Sequence, residues 1–218
     1  MARFPGSDGG DGDAPARFRK EPDPRFWRMN RSLPFDWQLA PYDILQSQAH
    51  ARSLVRVGVL TVSDTRDEES DTSGDLLVQR IIGAGHELAG RALVRDDVAA
   101  IRECVKAWVA SAGFDSIVTT GGTGLTGRDV TPEAIEPLFD KRIDGFSVVF
   151  HLVSYQSVGL STLQSRALAG IIGGVFVFCL PGSNGAVKDG WDKVIAAQLD
   201  SRHGPCNMVE LMPRLLER

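Results

Sequence analysis

Cysteine is scarce in this chain: three in 218 residues, Cys104, Cys179 and Cys206, far apart and with no Cys-x-x-Cys spacing. Such a set cannot build a disulfide framework and offers no thiolate metal site, so reduced thiols in a cytoplasmic protein are the expectation. Positive charge is also in short supply. The 24 Lys and Arg against 28 Asp and Glu leave a formal net charge of -4. That balance argues against nucleic-acid or membrane partners, since gripping either needs a basic footprint. Long apolar runs are missing too. The longest, Ala167 to Leu180, is broken by Gly170, Gly173 and Gly174 and is too short to span a bilayer as a helix. The first residues show no basic head followed by an apolar core, so no secretory signal is expected. Small phosphorylated ligands stay open, because they need only local positive potential.

What is present suffices for a sizeable core: 43% of residues are hydrophobic and 24% charged, ordinary for a globular protein. The chain reads as an N-terminal extension over 1–53, whose first 25 or so residues are expected to be disordered, and a main domain over 54–218. A short helix is expected around Asp43 to Leu54. Val55 to Val62 is rich in β-branched residues and reads as a buried strand. Asp71 to Ser73 offers N-caps for a helix over Asp75 to Ala84, with Gly85 at C′. Glu87 to Val94 is a second strand. Asp96 and Asp97 precede a helix with Ile101, Val105, Trp108 and Val109 on one face. Ser116 to Thr120 is a short strand, and Thr131-Pro132 opens a helix with threonine at N-cap and proline at N1. Val175 to Leu180 is a strand, followed by Pro181-Gly182-Ser183-Asn184 and a helix to about Leu199. This alternation predicts a three-layer α/β domain, a mostly parallel sheet with helices on both faces. Ligands in such sheets bind beyond the carboxyl ends of the strands, where Ser63-Asp64, Thr119 to Asp129 and Gly182-Ser183-Asn184 all fall.

The most informative stretch runs from Thr119 through Thr120-Gly121-Gly122-Thr123-Gly124 to Arg128-Asp129-Val130-Thr131-Pro132-Glu133-Ala134. Glycines after a strand allow backbone amides to turn toward a ligand, threonines add hydroxyls, and the helix near Thr131 adds its positive end, so an anion site is expected. It is neither a Walker A element nor a Gly-x-Gly-x-x-Gly fingerprint. Asp129 beside an anion site needs a reason. It either coordinates Mg²⁺, which reverses the local sign and bridges to phosphate oxygens, or flanks the helix paired with Arg128. Asp96 is the candidate partner carboxylate at the same rim, or else caps the helix that follows; Asp97 could take the cap instead.

From about Val55 to Pro213 the chain resembles the molybdenum cofactor biosynthesis proteins of the MoaB/MogA type. The matching segments are Leu60-Thr61-Val62-Ser63-Asp64, Asp71-Thr72-Ser73-Gly74, the Thr119 to Ala134 motif, Ser161 to Ala167, Pro181-Gly182-Ser183 and Gly204-Pro205-Cys206-Asn207, and their wording is closer to the MoaB branch. The resemblance implies a molybdopterin-binding, MogA-like fold, a homotrimer or a hexamer, and Mg²⁺-dependent adenylylation of molybdopterin by ATP. It puts Asp96 and Asp129 on the family's two functional aspartates, as catalytic residues and metal ligands. Ser63, Asp64, Thr120, Gly121, Gly122, Thr123, Gly124, Ser165, Arg166, Pro181, Gly182 and Ser183 are then expected around phosphate and pterin. The alternative is a non-catalytic molybdopterin-binding paralogue or a scaffold trimer.

One stretch departs from the pattern. Many relatives read Gly-Phe-Gly-Glu with an arginine three residues on, whereas this chain reads Gly145-Phe146-Ser147-Val148-Val149-Phe150-His151 and has lost both charges. Losing a guanidinium where phosphate is expected to bind is not a conservative change. In the extension, Arg31 to Ile44 and Ser47 to Arg52 resemble the N-terminal segment of argininosuccinate lyases. The helical body and signature loop of those lyases are absent, so lyase activity is excluded.

Overall fold

The computed structural model describes residues 53–217. The expected arm over 1–53, the lyase-like segment and nearly all of the helix expected from Asp43 lie outside the described residues; Ser53 and Leu54 at its end are not helical.

Strand β1 (Arg56–Val62) is buried along almost its whole length, as its run of valines requires. Helix α1 (Thr72–Gly83) starts on Asp71, whose carboxylate accepts the Gly74 amide at 2.9 Å, an N-cap that satisfies one otherwise orphaned donor. After β2 (Glu87–Val94), Asp97 caps α2 (Val98–Ala110) by accepting the Ala100 amide at 2.9 Å. Then come β3 (Ser116–Thr120), a five-residue α3 (Thr131–Ile135), a two-residue β4 (Lys141–Arg142) and α4 (Asp144–Val158). A 3₁₀ segment, Gly159–Gln164, leads into β5 (Leu168–Ile172) and β6 (Val175–Leu180). The last helix begins as α5 (Asn184–Val187), passes through a π-helical stretch, Lys188–Ile195, and ends as α6 (Ala196–Gln198).

The six strands lie in the order β2-β1-β3-β6-β5-β4. The first four are parallel, and β5 and β4 add antiparallel pairings at one side. The apolar run Ala167 to Leu180 therefore holds two strands folded into a hairpin. Gly173 and Gly174 turn it at φ 54° and 84°, values at which a Cβ would be strained. One core packs α1, α4 and the last helix against the sheet through Leu77, Ile81, Phe146, Phe150 and Trp191. The other packs α2 and α3 on the opposite face through Ile101, Val105, Ala134 and Ile135. This is the expected three-layer architecture, with its sheet mixed at one edge.

One cap differs from expectation. Helix α3 starts at Thr131 with Val130 before it, so threonine is not the N-cap and Pro132 stands second in the helix. The buried Thr131 hydroxyl instead donates to the Gly121 carbonyl at 2.9 Å. A buried acceptor at a strand end competes better for that proton than a solvated helix start does.

Candidate functional site

At the carboxyl ends of β1, β3 and β6 lies an open cavity of about 480 Å³. Its floor is the loop that leaves β3. Gly121 and Gly122 have φ 108° and 63°, and each is crowded where a Cβ would stand: the first by the Val62 carbonyl, the second by the Thr131 hydroxyl and by Asp96 Oδ1. Only glycine allows both the turn and this approach. The Gly121 amide donates to the Leu180 carbonyl at 3.0 Å, which ties the loop to β6.

Behind the loop lies Arg166. Its amide donates to the Thr123 carbonyl at 2.9 Å, its Nε to the Gly124 carbonyl at 2.8 Å and its Nη2 to the Asp129 carbonyl at 2.7 Å, while Nη1 pairs with Glu133. Asp129 is fixed from the front: Oδ2 accepts the Thr126 amide at 3.0 Å and the Thr126 hydroxyl at 2.5 Å. Those hydrogen bonds, helped by the Gly124 amide and the Arg166 charge, hold its carboxyl below the usual carboxylate range against a smaller effect of burial. Asp96 is in the opposite condition. Its Oδ1 is buried without a hydrogen-bond partner. Burial, then the negative charges of Asp64 and Asp129, push its carboxyl above the ordinary value, with Arg128 pulling the other way.

Of the residues expected from sequence, Ser63, Asp96, Gly121, Gly122, Thr123, Gly124, Asp129, Ser165, Pro181, Gly182 and Ser183 line the cavity. Three do not. Thr120 is buried in β3, its hydroxyl donating to the Pro181 carbonyl at 3.2 Å. Asp64 faces outward and pairs with Arg128 through Nε at 2.9 Å. Arg166 supports the loop from behind, with backbone carbonyls and Glu133 as its partners. The Arg128 pair also corrects a second expectation: Asp129 does not pair with its neighbour, because that guanidinium is taken by Asp64. The cap before α2 belongs to Asp97, which leaves Asp96 free of that role.

The cavity also has walls that sequence reasoning did not assign. Arg66 donates to the Ser73 hydroxyl at 2.6 Å and to the Gly182 carbonyl at 2.5 Å, placing a cation on the rim. Its only linear signal is its place just after Ser63-Asp64. Ser154, Val158, Ser161, Thr162, Gln164, Ala186 and Asp189 also line the cavity, a lobe contributed by α4, the 3₁₀ segment and the last helix, whose approach depends on the tertiary fold. His151 stands behind Ser165, its ring nitrogens 2.6 Å from the Ser147 carbonyl and 3.1 Å from that of Ser165. It braces the backbone at the cavity wall, and Val148 faces solvent.

Among the described residues no group of three or more His, Cys, Asp or Glu side chains gathers to hold a metal. The two rim carboxylates fit Mg²⁺ nonetheless, since that ion characteristically takes one or two carboxylates and completes its shell with water and substrate phosphates. The buried, unpartnered Oδ1 of Asp96 is the kind of oxygen a cation would satisfy.

A family model described as "Probable molybdopterin binding domain" matches residues 58–201. Molybdenum cofactor biosynthesis protein B of Escherichia coli strain K12 is 47% identical over 152 residues, 70% of this chain and 89% of that protein. A crystal structure of Molybdenum cofactor biosynthesis protein B is similar with a TM-score of 0.70 at 39% identity, covering 78% of this chain and 100% of that one. The tungsten cofactor synthesizing protein MoaB from Pyrococcus furiosus gives a TM-score of 0.57 at 42% identity, over 66% and 92% of the two chains.

Proposed function

This chain belongs to the molybdopterin-binding family of molybdenum cofactor biosynthesis proteins, and from that premise we propose that it adenylylates molybdopterin with ATP in a Mg²⁺-dependent reaction. In that reaction an oxygen of the molybdopterin phosphate attacks the α-phosphorus of ATP, and the bond to the departing pyrophosphate breaks. Such chemistry depends mostly on alignment and on stabilising charge.

The observation that carries the reading is the pair of carboxylates in opposite electrostatic states on one glycine loop, with Asp96 Oδ1 buried and unpartnered. Asp96 and Asp129 would hold Mg²⁺ there, and the bound ion would neutralise charge building on the phosphates. The loop from Gly121 to Gly124 would receive a phosphate against its backbone, with Ser63, Ser183 and Arg66 lining the same cavity. Arg166 holds the loop in shape from behind. The alternative, a molybdopterin-binding protein without turnover, draws on the altered stretch from Ser147 to His151.

Incubation with molybdopterin, ATP and Mg²⁺ tests the proposal: adenylylated molybdopterin and one equivalent of pyrophosphate are expected. Tight molybdopterin binding without product would replace it by the binding-only reading, and absence of binding by that of a scaffold. We extend the proposal to a homotrimer or hexamer, supported by an apolar row on α4 that the single chain leaves uncovered.

A further inference from the structure

The phosphate contacts proposed above leave the lobe of α4, the 3₁₀ segment and the last helix unexplained, and that lobe contains a carboxylate. Asp189 is 4% exposed. Its Oδ1 accepts from Lys193 Nζ at 2.6 Å and from the Ser157 hydroxyl at 2.8 Å, which fixes the group and leaves Oδ2 with no hydrogen-bond partner among the described residues. Thr162, on the same lobe, carries a second unpartnered atom: its Oγ1 is buried without a hydrogen bond. A buried hydroxyl without a partner is costly unless a ligand completes it, and the Asp189 Oδ2 in the same lobe is open to the cavity.

The backbone that presents Asp189 is itself unusual. It belongs to the π-helical stretch Lys188–Ile195, a geometry rare in proteins and concentrated at functional sites. Gly190 lets this stretch lie against β6, since a Cβ there would collide with Leu180. Ala186, one turn earlier, lines the same lobe, as does Val158 on α4, so the carboxylate has apolar surface near it.

We propose that Asp189 is the specificity-determining acceptor for a 2-amino-4-oxopyrimidine edge, the edge that pterin and guanine share. That edge presents two adjacent N–H donors, at N3 and at the 2-amino group, and Oδ2, with both lone pairs uncommitted, can accept from that pair. Adenine offers one donor beside a ring-nitrogen lone pair, which would face the carboxylate unfavourably. Thr162 is then available to the 4-oxo group as a donor. The inference rests on the reading that this cavity receives molybdopterin, and it assigns the lobe that the proposed phosphate contacts do not use.

The test is a binding measurement on the full chain with no ATP and no Mg²⁺, using 6-hydroxymethylpterin, the matching 2,4-dioxo compound 6-hydroxymethyllumazine, guanosine monophosphate and adenosine monophosphate. The lumazine keeps the shape and the 4-oxo group but replaces the 2-amino donor by an acceptor. Wild type should prefer the pterin by about 10- to 100-fold, as expected when a buried polar group loses its partner. Asp189→Asn should reduce that preference to within about threefold, while Thr162→Val should weaken both pteridines and leave their ratio unchanged. Preference for guanosine over adenosine monophosphate without pterin binding would assign the same edge to a nucleotide rather than a pterin. Equal wild-type affinity for pterin and lumazine overturns the proposal whether or not the variant folds, as does undiminished preference in a folded Asp189→Asn protein. Turnover without this discrimination would sink the role of Asp189 alone; discrimination without turnover would sink the adenylylation reading alone.

Discussion

Asp129 and Asp96 face one loop, but their surroundings give substitutions at the two positions different signatures. Asp129 is held ionised by Thr126, the Gly124 amide and Arg166. Asparagine at 129 keeps the shape and an acceptor for Thr126 while removing the charge. Turnover of Asp129→Asn should fall roughly a hundredfold or more, comparable to losing one preorganised electrostatic group, with the thermal midpoint little changed. Wild-type turnover in a folded variant would remove Asp129 from the catalytic role. For Asp96 the sign is reversed. A carboxyl raised in the folded state binds its proton more tightly there than in the unfolded chain, so this group favours folding at low pH. That contribution is lost as pH rises from the ordinary value of 3.8 to the raised one. Above that window the metal-free protein contains a partly desolvated charge repelled by Asp64 and Asp129. Asp96→Asn should therefore raise the midpoint at pH 7, leave it unchanged near pH 3, and abolish both turnover and stabilisation by added Mg²⁺. A lower midpoint at pH 7 would show that Asp96 is a structural carboxylate.

At the level of elements, adjacent aspartates separate a cap from a site. Asp97 accepts the Ala100 amide at 2.9 Å, so Asp97→Ala should cost about 1 kcal/mol of stability and leave turnover per folded molecule intact; a loss of turnover would mean that the start of α2 belongs to the site. This division was partly legible in the sequence, which offered both residues as caps and could not choose. The strands Glu87–Val94, Ser116–Thr120 and Val175–Leu180 match their sequence-based bounds; the last two are short apolar or β-branched runs, and all three end where Gly, Pro or charged residues take over. The β4-α4-β5 region was not legible, for two physical reasons. Helix α4 buries Phe146 and Phe150 while exposing Val148, Leu152 and Tyr155, so apolar residues surround it and blur the helical period. Strand β5 shares one apolar run with β6. The glycine loop and the Pro181-Gly182-Ser183 turn were legible because both follow strands directly. Arg66 and Asp189 were not: the first reaches the Gly182 carbonyl 116 positions away, and the second depends on α4 meeting a π-helical stretch. Such approaches leave no local pattern.

For the whole molecule, the surface carries an argument that the site does not. No helix among the described residues is long and apolar enough to cross a membrane, and several large apolar side chains are nonetheless exposed. Val148 (62% exposed), Leu152 (54%) and Tyr155 (56%) follow one another at helical spacing on the outer side of α4. Leu160 (71%) and Leu163 (69%) extend the patch along the 3₁₀ segment after it. Exposed large apolar side chains grouped on one helix and the segment after it are the kind of feature that marks an association surface. Cyclic symmetry would let one such surface be buried in every copy of the chain. The same helix also lines the cavity through Ser154 and Val158, so covering its outer side would steady the lobe that contains Asp189. Leu152→Asp puts a charge in the centre of the patch without touching either hydrophobic core. In light scattering after size exclusion, the wild-type chain should run at three or six times the 23.6 kDa of one copy, and the variant at that single mass with an unchanged circular dichroism spectrum. Affinity for molybdopterin should fall in the dissociated variant more than its thermal midpoint would suggest, because the lobe has lost its backing. A wild-type protein that is monomeric at tens of micromolar would refute the assembly. A monomeric variant with full affinity would show that each copy completes its own cavity.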